Sequence, residues 1–238
     1  TYLGAALQMM HSQLLIENLS KVIKEGPPPT TETSFSEEMY AQEYASMERA
    51  GDARIMVDIV SELPEFPSFR KMLDLGGGPG FIGMAVVAAH PSMKGVIFDL
   101  PPMVKVAEKF IREYGMEDRM EVLGGDGFRD SIGEGYDLVL ACSSLQSYKD
   151  KLDSVAKKVY DALNPSGVFI SYFMGLTHER TKPEITVLMS LSMALMGYDT
   201  GFDQGFVADS MLRAGFKSVR SRTLNTHWGP MELDIARK

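Results

Sequence analysis

The sequence predicts an α/β protein: a doubly wound, mostly parallel, seven-stranded sheet of the Rossmann-like kind, preceded by helices. Three observations predict it. From residue 72 onward, short apolar runs bounded by Gly, Pro and Asn alternate with longer segments of helical apolar spacing, the pattern of repeated strand–helix units. The first run, 72–75, stops at glycines 76, 77, 78 and 80, and a second apolar stretch starts at once at Phe81. That order reads as a buried strand, a tight turn and a helix start. Two final runs, 217–222 and 231–236, are antiparallel candidates.

The elements follow in order. Apolar residues at helical spacing (Leu7, Met10, Leu14, Leu15, Leu19, Val22, Ile23) predict a helix over 4–24, ended by Gly26 and Pro27 to Pro29. Helices follow at about 37–50 and 53–62, punctuated by Gly51 and stopped before Pro64 and Pro67. We therefore expect residues 1–67 to form a helical lead-in packed on the core or on a partner chain, and 68–238 to form the main domain. Beyond the glycine turn, a helix over 81–89 is closed by His90 and Pro91, and a strand over 95–99 ends at Asp99. Pro101 and Pro102 suit the first turn of a helix reaching Gly115. Strands are expected at 120–123, 136–141 and 168–173, and helices at 149–163, 183–197 and 204–214.

Composition bounds the function. The chain has 238 residues, 45% hydrophobic, which suits one globular domain with a sizeable core. Its net charge is −8 and it carries no run of Lys and Arg, so a nucleic-acid partner is not expected. No apolar stretch approaches the roughly 20 residues needed to span a bilayer. A single cysteine, Cys142, excludes an intrachain disulfide and a multi-cysteine zinc site, which fits a reducing cytoplasm. No metal is expected, and a small neutral or weakly charged substrate is expected rather than a polyanion.

The chemistry gathers at three strand ends. Amide groups at the helix start after Gly80 favour electron-rich ligand groups. Asp99, about 20 residues beyond the glycine turn, can accept hydrogen bonds from both ribose hydroxyls of an adenosine. Gly124 to Phe128 follows the third strand, and its Asp126 and Phe128 suit the amine and the ring of an adenine. Asp74 lies two residues before the first glycine, which distinguishes this turn from one suited to a pyrophosphate.

On these residues the chain resembles the class I S-adenosylmethionine-dependent methyltransferases, and more narrowly the caffeate, acetylserotonin and polyketide O-methyltransferase family. The matching stretches are 73–80, 96–101, 124–128 and 162–167, with Tyr2 to Gly4, Phe35, Met39 and 214–216 also fitting. The resemblance implies S-adenosylmethionine as cofactor and S-adenosylhomocysteine as product. It implies that Asp74, Gly76, Gly77, Gly78 and Gly80 serve the methionine part, Asp99 and Leu100 the ribose side, and Asp126, Gly127 and Phe128 the adenine. Met39 and Cys142 would lie near the cofactor and Phe35 near the substrate. It also implies a homodimer, and a preceding dimerisation domain in family members that would end about where this chain starts.

The resemblance gives way at the base. The plant-type members of the family place a proton-accepting His after the fourth strand; here Gln146 stands there, and Gln cannot take a proton near neutral pH. His178, in the loop after the fifth strand, is a candidate replacement. Tyr148 and Tyr172 are candidates to orient the acceptor, or to act as acid/base groups if their pKa is depressed. His11, His90 and His227 read as structural. Met189 and Met193, on one face of the 183–197 helix, suit the wall of an apolar substrate pocket or the core. The expected function is methyl transfer, most simply O-methylation, to a small aromatic or apolar acceptor. Alternatives are a relative using the same cofactor for hydroxylation or decarboxylation, and a non-catalytic binding module.

Overall fold

The computed structural model describes residues 15–26, 44–46, 48–195, 199 and 201–238. The glycine turn opens a seven-stranded sheet of order β3-β2-β1-β4-β5-β9-β8. Its strands are β1 (Lys71–Leu75), β2 (Lys94–Asp99), β3 (Met120–Gly124), β4 (Tyr136–Cys142), β5 (Leu163–Phe173), β8 (Ser218–Thr226) and β9 (Gly229–Arg237). The first five run parallel, and β9 runs antiparallel to both β5 and β8. Strand order therefore reverses direction between β1 and β4, and crevices beyond the carboxyl ends of strands at such a point are where ligands bind in open α/β sheets.

Helices cover both faces. In chain order they are α1 (Leu15–Glu25), α2 (Ala53–Ser61), α3 (Phe81–Ala89), α4 (Pro101–Glu113), α5 (Leu152–Ala162), α6 (Glu184–Leu195) and α7 (Phe206–Ala214). One buried cluster, including Met56, Met72, Val86, Ile97, Leu138 and Leu233, joins α2, α3 and α4 to one side of the sheet. A second, including Leu73, Phe98, Val139, Val159, Phe169 and Met211, joins α5 and α7 to the other. Central strands buried on both faces lack polar alternation, which is why 72–75 and 136–141 read as apolar runs interrupted only by Asp74 and Asp137.

The lead-in is seen in part. α2 packs on α3 and α1 on α6, while the expected helical residues 4–14, and most of 37–50, lie outside the described residues. Three expectations are corrected. The final strands are longer than 217–222 and 231–236: the exposed, polar stretch of β8 gives no hydrophobic signal, yet Asn225 and Thr226 still pair with Pro230 and Gly229. The helix expected from 149 begins only at Leu152, after a 3-10 turn over Leu145–Lys151. A small parallel pair, β6 (Gly175–Leu176) with β7 (Phe202–Asp203), was not expected, because two-residue strands carry no periodicity.

Candidate active site

The glycine turn is shaped by what lies under it. Gly76 and Gly77 donate their amides to the Phe98 carbonyl (2.7 and 3.2 Å), and Gly80 donates to Gly77 (2.9 Å). Gly80 has φ 87, and a Cβ there would lie 2.3 Å from Ile97 Cδ1, so both backbone and space require glycine. Asp74 is 1% exposed and turns beneath the loop, accepting the Gly83 amide at 3.0 Å. Burial, with a further push from Asp99, raises its carboxyl to about 7. Glu48, just ahead of α2, reaches the start of α3. Its Oε2 accepts the amides of Phe81 (2.8 Å) and Ile82 (3.3 Å), where the positive end of the helix dipole favours a carboxylate. Burial still pushes its pKa well up, helped by Asp74. The sequence carries no signal for Glu48, since its partners are 33 residues away.

Asp99 and Gly124 are register partners at the ends of β2 and β3. Asp99 Oδ2 accepts the Gly78 amide (2.8 Å) and Oδ1 the Leu100 amide (2.7 Å), which binds the acidic strand end to the glycine turn. Its pKa is raised by burial. Leu100 beside it is 54% exposed, an apolar face open at the edge of the sheet. Asp126 closes its own turn, with Oδ1 accepting the Phe128 amide at 2.8 Å. That bond, with Arg129, holds its carboxyl below the usual value. Phe128 is half-buried and carries Lys151 Nζ 4.2 Å from its ring centre. Gly127 is pinned by Tyr148, whose hydroxyl would lie 2.7 Å from a Cβ there. The donor set fits an adenosine: an acid at the β2 end, apolar faces from Leu100 and Phe128, and amides above β1.

Beside it, β4 and β5 end together, with Cys142 opposite Tyr172. Burial, then Asp74, Asp52 and Glu48, push the Cys142 thiol well up, so it stays protonated. Ser144 Oγ donates to the Leu75 carbonyl (2.6 Å) and ties this loop to the glycine turn. Gln146 Oε1 is enclosed and accepts no hydrogen bond among the described residues. Tyr148 is pushed up by burial, as is Tyr172, with Asp52 adding to the shift. Neither phenol is depressed, so neither meets the condition for phenolate chemistry near neutral pH.

Tyr172 leads to a group that no local spacing in the sequence brings together. Its hydroxyl lies 3.4 Å from Asp52 Oδ1. Trp228 Nε1 donates to Asp52 Oδ2 at 3.0 Å, and His227 Nε2 stands 3.9 Å from Oδ1. Asp52, raised by burial, is thus met by three side chains from β5 and the β8–β9 turn. His227 reads as structural in sequence because its acidic neighbour is 175 residues earlier; His beside Trp in a late turn is the only local signal.

The remaining candidates are placed apart. His178 is exposed on a turn between Thr177 and Lys182, with Nδ1 2.9 Å from Thr177 Oγ1. It lines a cavity of about 480 Å³ with Leu176, Arg180, Asp203 and Gln204, none of which belongs to the glycine turn or the β4 end. Met189 and Met193 are half-buried on α6, while Ile185, Leu188 and Leu191 of the same helix are exposed. Phe35 and Met39 lie outside the described residues. Among the described residues no group of three His, Cys, Asp or Glu is arranged to hold a metal ion, and no helix is long and apolar enough to cross a membrane.

Residues 15–216 match the O-methyltransferase domain family. The chain belongs to that family. An uncharacterized protein of Methanocaldococcus jannaschii is 34% identical over 116 residues, 49% of this chain and 30% of that protein. The L-tyrosine C(3)-methyltransferase of Streptomyces lavendulae is 28% identical over 181 residues, 74% of this chain and 50% of that protein. The chain thus spans half or less of the length of these curated relatives. A putative O-methyltransferase from Nostoc punctiforme shares the fold, with a TM-score of 0.79 at 20% identity, over 98% of this chain and 72% of that one. As an O-methyltransferase domain the chain keeps the expected sheet, and it carries Gln146 where the resemblance implies the base.

Proposed function

We propose that this chain is the catalytic domain of an S-adenosylmethionine-dependent methyltransferase acting on a small aromatic or apolar acceptor, with O-methylation as the reaction. One observation carries the reading: within an O-methyltransferase domain, Asp99 is bonded to the glycine turn at Gly78, with Leu100 next to it in the chain and Phe128 in the loop after the neighbouring strand β3. That supports Asp99 as the partner of the ribose hydroxyls, Leu100 and Phe128 as the faces for the adenine, and the 76–80 turn as the seat of the methionine part. Asp126 Oδ2, 3.6 Å from Arg129 Nε, is the carboxylate oxygen that would accept from the adenine amine. The cofactor supplies a methyl group on a cationic sulfonium. The chain's own residues align the acceptor, exclude water and hold the acceptor's proton.

Cys142 fits a small wall residue near the sulfonium, and Gln146, Tyr148 and Tyr172 fit groups that orient the acceptor. Met189 and Met193 fit its apolar wall, as would Phe35 and Met39. The relative named for the C3 position of tyrosine extends the acceptor class to ring carbons activated by a neighbouring hydroxyl. His178 is retained only as a group on a separate polar cavity. We further propose a helical lead-in over 1–67, a main domain over 68–238, a cytoplasmic location and a homodimer. Exposed Ile185, Leu188 and Leu191 on α6 support association, and sedimentation at rising concentration tests it.

Calorimetric titration with S-adenosylmethionine tests the core of the proposal. Micromolar binding is expected, weakened at least about 10-fold in Asp99→Ala, since a hydrogen bond to a charged group contributes roughly 1.5–3 kcal/mol. No binding by the unaltered protein would overturn it.

A further inference from the structure

We infer that Glu48 receives the ammonium group of the cofactor's methionine part, and so makes this domain selective for ligands that carry a free amino end. The inference rests on the methyltransferase reading above and adds a residue to the cofactor seat proposed there. The methionine part ends in an ammonium, cationic at pH 7, and in a carboxylate, so its seat needs an acceptor for the first. Asp99 is assigned to the ribose, and Asp74 is turned beneath the loop onto the Gly83 amide. Glu48 is the acid that reaches the glycine turn from outside it.

Geometry places it. Glu48 is 8% exposed, yet only one of its two oxygens is engaged. Oε2 accepts the amides of Phe81 (2.8 Å) and Ile82 (3.3 Å) at the start of α3, while Oε1 accepts no hydrogen bond among the described residues. Oε1 instead borders Gly78. A Cβ on Gly78 would lie 3.7 Å from it and would meet nothing else within 4 Å beyond its own chain neighbours, so the space over this glycine is open. The Gly78 amide itself goes to Asp99 Oδ2 at 2.8 Å. One residue of the turn thus lies between the acid assigned to the ribose and a second acid with an unengaged oxygen. An adenosyl amino acid presents its hydroxyls and its ammonium in that order.

Charge gives an independent reason. Burial pushes the Glu48 carboxyl up, Asp74 and Asp52 push it further, and only the Phe81 and Ile82 amides act the other way. The groups facing Glu48 are therefore Asp74 from β1, Asp52 ahead of α2, the Cys142 thiol from β4 and the α3 amides. No Lys or Arg is among them. Arg49, next in the chain, is turned away: its guanidinium stands over the rings of Phe81 (4.7 Å) and Phe110 (5.8 Å), and its Nε donates to the Ala45 carbonyl at 3.1 Å. A buried carboxylate among other acids is destabilised until a cation joins it, and an ammonium at Oε1 is that cation. The ligand's own carboxylate finds no equivalent seat at the start of α3, because Glu48 holds both amides there.

The experiment is calorimetry with S-adenosylhomocysteine and with its desamino form, in which hydrogen replaces the amino group, on the unaltered protein and on Glu48→Gln. Gln keeps an oxygen for the Phe81 and Ile82 amides and removes the charge. The unaltered protein is expected to bind S-adenosylhomocysteine at least about 10-fold more tightly than the desamino form. In Glu48→Gln that preference should shrink to about 2-fold, through weaker binding of S-adenosylhomocysteine alone. A merely structural role would weaken both ligands equally and leave the preference intact. Should Glu48→Gln fail to fold, as judged by urea unfolding, Glu48→Asp keeps the charge but withdraws it from Gly78 by one methylene, and should show the same selective loss. Equal affinity for the two ligands in the unaltered protein, or a preference that neither variant changes, would overturn the inference while leaving cofactor binding in place. Absence of binding of both S-adenosylmethionine and S-adenosylhomocysteine by the unaltered protein would instead overturn the functional reading, and this inference with it.

Discussion

Asp74 concentrates the energetic tension of the site in one side chain. It is buried beneath the glycine turn, bonded to a single amide, and raised to about 7 from an ordinary 3.8. Because the folded chain holds this proton more tightly than the unfolded chain, the contribution to stability is fully present below about pH 4. It is lost as the pH rises through about 7. We predict that urea midpoints fall over that window, with a slope of up to about 1.4 kcal/mol per pH unit from this group. Asp74→Asn should remove that part, leaving the residual slope of Glu48 and Asp52, which burial also raises. A midpoint that is equally pH-dependent in Asp74→Asn would refute the assignment. In the sequence Asp74 reads as a cofactor residue from its place before the glycines; its turn beneath the loop depends on Gly77 and Gly83 having no side chains, which spacing alone does not reveal.

At the scale of elements, the turn joining β1 to α3 is held from three directions. Phe98 carbonyl oxygen holds it from β2, Ser144 from the β4 loop, and Glu48 from the lead-in. Gly80→Ala combines a left-handed φ with a 2.3 Å approach to Ile97 and should cost about 2 kcal/mol or more, read as a lowered urea midpoint. Cofactor affinity should fall with it, because the same residue opens α3; an alanine variant of unchanged stability and affinity would show that the turn tolerates a side chain. Elements with their own local signals were legible: 81–89, apolar throughout and closed by His90 and Pro91, is the helix expected, and β2 ends at Asp99 as expected. Elements defined by partners were not. The outer half of β8 is polar and owes its strand conformation to β9, and β6 exists only against β7.

At the scale of the whole molecule, sequence gave the sheet and the family but not the closure. Cofactor candidates fall at consecutive strand ends that local spacing can register, whereas the Asp52 group joins positions 52, 172, 227 and 228 through tertiary packing alone. Trp228, the single tryptophan, therefore reports on that closure. Asp52→Asn or Asp52→Ala should shift its emission to the red, through loss of a bond to a carboxylate and greater access of water. In the unaltered protein its emission should change at the same urea concentration as helix signal if the domain unfolds in one step. Separate transitions would mean that the lead-in contacts open independently of the sheet.

The place of β9 has a consequence for synthesis. It is the last strand described, yet it lies inside the sheet, between β5 and β8. While the ribosome is still making residues 229–237, β5 has an open edge and β8 has no neighbour, so both present unpaired backbone that invites pairing with other chains. The Asp52–Trp228 bond, spanning 176 residues, is out of reach until the same moment. The seven-stranded sheet therefore stays incomplete until β9 has been translated.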